Sequence, residues 1–148
     1  MGNHGKKWYA ALFAAYCLLM LWLLFGQRWG QNAGNLNLRP FDTLRCFLWV
    51  LENRTDAASL RHAVVNLGGN VIMFVPLGFL VPCLWDKMGK FGWHFLCMLL
   101  TIMVIEWLQL VTRLGSCDID DLILNLVGTA IGFGLFGLWA HIKRRSKT

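Results

Sequence analysis

An all-α integral membrane bundle is the fold this sequence predicts: four transmembrane helices, a short outer interfacial helix, and both termini in the cytoplasm. Three observations carry that expectation. The 148-residue chain is 57% hydrophobic and only 15% charged, with a mean hydropathy of +0.51, too apolar for a soluble domain of this length. Four apolar stretches, at residues 8–25, 63–85, 91–111 and 122–142, are each long enough to cross a hydrocarbon core of about 30 Å at about 1.5 Å per residue. The charges outside the spans are split between two sides. Lys6, Lys7, Lys87, Lys90, Lys143, Arg144, Arg145 and Lys147 against Asp86 give one side +7. Arg28, Arg39, Arg45, Arg54, Arg61 and Arg113 balance Asp42, Glu52, Asp56, Asp118, Asp120 and Asp121 on the other. A basic side is a cytoplasmic side.

Taken in order, the chain opens with a short basic head and an apolar helix over residues 8–25. The GQRWGQNAG that follows lacks a pair of small residues at a cleavage position, so this helix reads as an uncleaved anchor. Residues 26–62 form the long outer segment. Within it Phe41, Leu44, Leu48 and Leu51 recur at helical spacing, predicting a helix that lies on the outer leaflet or folds over the bundle. The second span begins with Asn66 and Asn70, four apart and hence on one face, with Gly68 and Gly69 offering close helix contact. Residues 86–90 make a tight inner turn. His94 is expected at the cytoplasmic interface.

The third span ends in Glu106, Gln109 and Arg113, at i, i+3 and i+7, within about 60° on a helical wheel. The fourth begins with Asp118, Asp120, Asp121 and Asn125. Asp118, Asp121, Asn125, Gly128 and Gly132 make one stripe, and Gly128-x-x-x-Gly132 is a helix-packing signature. The topology brings these stripes to the outer half of the bundle, with Arg39 and Phe41 positioned to fold over them. A carboxylate in the middle of a membrane helix costs about 2.5–3.5 kcal/mol, so such a cluster needs a structural or functional reason.

The five cysteines form no CxxC pair, which argues against metal and thioredoxin-like chemistry. Cys46 and Cys117 share the outer side, and a disulfide between them is open on sequence alone. Asp118, Asp120 and Asp121 are weak candidates for holding a divalent cation through oxygen ligands; no cofactor is expected. The formal net charge of +6 is read as anchoring to anionic membrane lipid, not as nucleic-acid binding.

Together these pieces resemble the VanZ-like family of membrane proteins. The resemblance rests on Asn37-Leu38-Arg39-Pro40-Phe41; on Asn66, Asn70, Phe74, Pro76 and Gly78; on Glu106, Gln109 and Arg113; and on Asp118, Asp120, Asp121, Asn125 and Gly128. It runs from about residue 35 to 132 within what reads as a single membrane domain. Arg39 stands where the family loop often has an apolar residue, and Arg113-Leu114-Gly115 places the arginine ahead of the usual Gly-Arg order. The resemblance implies a multi-pass protein, expected in a bacterial plasma membrane and linked to teicoplanin susceptibility.

Three functional readings compete. In the first, Arg39, Asn66, Asn70, Glu106, Gln109, Arg113, Asp118, Asp120, Asp121 and Asn125 line an outer-leaflet polar pocket. That pocket binds an envelope lipid, a lipid-linked molecule or another amphiphile, with guanidinium groups meeting phosphate. In the second, Glu106 is the general base of an enzyme acting on an envelope lipid or cell-wall precursor. No nucleophile motif accompanies it, which leans the balance away from catalysis. In the third, the cluster is polar glue without a ligand. A transporter would need the chain to form a homo-oligomer.

Overall fold

The computed structural model describes residues 3–26, 36–53, 56–115 and 117–146. The expectations for Arg28, Arg54 and Lys147 fall outside the described residues. Helix α1 spans Asn3–Leu21 and continues as a π turn at Trp22–Gly26; α2 is Asp42–Glu52, α3 Ala57–Leu84, α4 Phe91–Thr112 and α5 Ile119–Arg145. The first helix with its π turn, α3, α4 and α5 are long and apolar enough to cross a membrane. The turn between α3 and α4 is a short 3-10 helix at Asp86–Gly89. One element lies outside the all-helical expectation. Strand β1, Leu36–Asn37, pairs in parallel with β2, Cys117–Asp118, joining the outer segment to the entry of α5. Two-residue strands carry no periodicity for a sequence to display.

The helix ends follow their local chemistry. Asp56 caps α3, its carboxylate accepting from the Ser59 N–H at 3.4 Å and the Ser59 hydroxyl at 2.6 Å. Helix α5 begins with Asp120 and Asp121 in its first turn and ends with Lys143, Arg144 and Arg145 in its last, the arrangement the helix dipole favours. Helix α4 ends in a Schellman-type turn, with Leu114 N–H donating to the Gln109 carbonyl at 3.1 Å and Arg113 in left-handed conformation at φ 56°.

The bundle is centred on α3 against α5, the most extensive helix pair. The close approach is made by Gly78, Gly128 and Gly132. A Cβ at Gly128 would stand 2.1 Å from the Val71 carbonyl oxygen, one at Gly132 2.1 Å from that of Val75, and one at Gly78 2.2 Å from that of Thr129. Backbone meets backbone here, as in small-xxx-small membrane pairs. Gly68 and Gly69 do not take part: a Cβ at either meets nothing within 4 Å. They lie about two and a half turns before Gly78 on α3, just before Val71 where the close approach begins. Met20, Leu24, Phe74, Leu77, Met98 and Ile102 form the buried core. His94, in the first turn of α4, is buried too. It is 1% exposed, with its ring centroid 4.8 Å from that of Phe133 and neither ring nitrogen bonded among the described residues.

Candidate functional site

The Asp118 end of the bundle gathers the polar side chains, and each carboxylate there has a separate task. Asp118 is the N-cap of α5. One of its oxygens accepts from the Asp120 N–H at 2.9 Å and the other from Asn37 Nδ2 at 3.1 Å. Asn37 Oδ1 in turn accepts from the Arg39 N–H at 3.1 Å. Asp120 is 4% exposed and accepts from two N–H groups at the start of α2, Phe41 at 2.5 Å and Thr43 at 2.7 Å. Phe41 adopts φ 68° to present them, a conformation unusual for a bulky residue and held by what surrounds it. Asp121 accepts from Asn70 Nδ2 and so ties α5 to α3.

Helix α4 contributes two buried side chains. A Glu106 oxygen accepts from the Asp118 N–H at 3.4 Å. Gln109 Nε2 donates to the Leu24 carbonyl at 3.2 Å, holding the π turn against α4. Burial raises the Cys117 thiol above its ordinary range, with the Glu106 and then the Asp118 charge adding to the effect. The five cysteines stand as free thiols, so the Cys46–Cys117 bridge is not formed.

The structure therefore brings together Asn70, Glu106, Gln109, Asp118, Asp120 and Asp121, and adds Asn37. Four of the expected site residues lie elsewhere. Arg113 is exposed just past the end of α4, because the helix stops one residue before the stripe would include it. Arg39 is exposed on the outer segment. Asn125 is buried deeper in α5, with its Oδ1 unpartnered among the described residues. Asn66 is exposed, one turn from Asn70 but facing α2. The three aspartates turn to different partners, and no group of three His, Cys, Asp or Glu side chains among the described residues is placed to hold a metal ion.

Beside this junction lies an open cleft of about 700 Å³ between α2 and α3. Asp42 and Thr43 from α2 and Ser59 and Asn66 from α3 are its polar lining; Trp49 from α2 and Ala63 from α3 are apolar. It touches the carboxylate network through Thr43, whose N–H is bonded to Asp120. Sequence reasoning had no signal for this cleft, since it depends on where α2 lands. The nearest clue was the amphipathic spacing of α2 itself.

Fold and site together define a class: a four-span helical membrane protein with its polar residues gathered at one end of the bundle, under a short covering helix. The VanZ/LLP1 family model matches residues 11–140, and the chain belongs to that family. It is 29% identical over 141 residues to Protein VanZ of Enterococcus faecium, a match covering 90% of this chain and 76% of that protein. No solved structure matches it.

Proposed function

We propose that the Asp118 end faces the cell exterior in a bacterial plasma membrane. There the cleft between α2 and α3 receives an amphiphilic envelope molecule, and this lowers susceptibility to the glycopeptide teicoplanin. The observation that carries the reading is the cleft's mixed lining, in which Asp42, Thr43, Ser59 and Asn66 stand among apolar Trp49, Val50 and Ala63. A ligand with an apolar part and a polar part suits such a mixed lining. Exposed Arg39 and Arg113 belong to the same end and suit a phosphate. The carboxylate network serves to hold α2 over α3, and so keeps the cleft open.

The enzyme reading has less support. Glu106 faces the Asp118 backbone and is not among the residues lining the cleft. The test is teicoplanin susceptibility of a Gram-positive host expressing the chain, with membrane levels matched. Wild type is expected to raise tolerance. Asn66→Phe, which fills the cleft from an exposed position, and Asp121→Ala, which removes the acceptor of the Asn70 hydrogen bond between α3 and α5, are expected to lose it. Glu106→Gln is expected to keep most of it; complete loss at normal abundance would favour catalysis. No change in tolerance on expressing wild type would remove the resistance part of the proposal.

A further inference from the structure

A second feature runs from the opposite end of the bundle toward the π turn. Helix α1 packs on α3 but stands off from α4, leaving a furrow of about 440 Å³. Phe13 and Leu24 line it from the first helix and its π turn, Val81 from α3, and Cys97 and Ile105 from α4. Trp85 and Met88 close it at the α3–α4 turn, where Phe13 meets Trp85 edge-on at 5.3 Å. Phe13 and Leu24 are eleven residues apart, about 16 Å along a helix and close to half of a hydrocarbon core of about 30 Å. Along the first helix the furrow thus covers about half of the hydrocarbon depth. Its walls offer water almost nothing to bond and its rim carries exposed Leu21, so at membrane depth hydrocarbon chains are the available filler.

Charge at the closed end selects the headgroup. Met88, which lines the furrow, is flanked by Lys87 and followed by Lys90, both exposed. Asp86 is offset by Lys6, whose Nζ is 3.8 Å from its carboxylate. Lys87 and Lys90 have no carboxylate partner among the described residues. Two uncompensated ammonium groups at a membrane surface attract an anion in preference to a zwitterion.

We propose that the furrow between α1 and α4 holds one acyl chain of an anionic phospholipid whose headgroup sits on Lys87 and Lys90. The headgroup lysines are at the far end of the bundle from the α2–α3 cleft, and the site does not depend on the function proposed for that cleft. The test uses the full chain reconstituted in bilayers of phosphatidylcholine with a minority of phosphatidylglycerol, released into detergent and examined by native mass spectrometry. Wild type is expected to retain one phosphatidylglycerol per chain. Lys87→Gln with Lys90→Gln, both at exposed positions, is expected to lower that retention about tenfold. Leu21→Trp, which plugs the furrow from its exposed rim, is expected to abolish retention with both lysines in place. Equal retention of the two lipids by wild type overturns the proposal, as does undiminished retention in either variant.

Discussion

Asp120 is the residue on which the covering helix depends, because two backbone N–H groups converge on its buried carboxylate. An Asn there offers one acceptor oxygen and turns an amide N–H₂ toward a donor. Asp120→Asn is expected to cost about 1–3 kcal/mol, the range for leaving a buried donor unpaired. Limited proteolysis should then cut residues 36–53 faster than in wild type, and unchanged cleavage together with an unchanged melting temperature would show that α2 is held by its apolar face alone. Cys117 gives an independent reading of the same network. Its thiol is pushed up by burial and by the neighbouring Glu106 and Asp118 charges. Less of it is thiolate at neutral pH, so it should alkylate more slowly than exposed Cys46. Glu106→Gln removes one of the charges that disfavour the thiolate. The pH midpoint of Cys117 alkylation should therefore fall and its rate near neutral pH rise severalfold, while Cys46 stays unchanged. An unmoved midpoint would mean that Glu106 is not ionised beside it.

At the scale of elements, the closest approach of α3 and α5 is set by three glycines. A Cβ at Gly128 or Gly132 would stand well inside contact distance of a carbonyl oxygen, so the helices must part to admit it. Gly128→Ala is expected to cost about 1–3 kcal/mol, as overpacking does. Gly134→Ala, on the open side of the same helix with nothing within 4 Å, should be neutral or slightly stabilising. Thermal unfolding in detergent compares the two, and equal effects would mean that the crossing is looser than its geometry. The spacing of Gly128 and Gly132 was legible in the sequence because a small-xxx-small pair is a local signal. Their partner was not: Gly78 carries the other half of the contact, while Gly68-Gly69 looked equally suitable. Arg113 was misplaced for a similar reason. Helical periodicity continues through it on paper, but the chain turns left-handed there, and a helix that ends on Arg instead of Gly gives no warning.

For the whole molecule, hydropathy alone made the four spans legible, since a bilayer imposes both length and composition on any helix that crosses it. The site was legible as a list of polar residues but not as a geometry. Whether Asp118, Asp120 and Asp121 converge on one ligand or diverge to three partners depends on where residues 36–43 fold, and no periodic pattern encodes that return. Four crossings bring the chain back to the side from which it started, so the charge asymmetry must set one orientation for the whole bundle. Lys6, Lys87, Lys90, Lys143, Arg144 and Arg145 all belong to one end, and the positive-inside rule assigns that end to the cytoplasm. Cys46, exposed on α2 at the opposite end, should then react with a membrane-impermeant maleimide added to intact cells. A cysteine introduced by Lys90→Cys should react only after the cells are opened. The reverse pattern would invert the bundle and place the α2–α3 cleft in the cytoplasm, where an envelope amphiphile in the outer leaflet could not reach it. This labelling experiment therefore decides whether the proposed function is geometrically available before any susceptibility is measured.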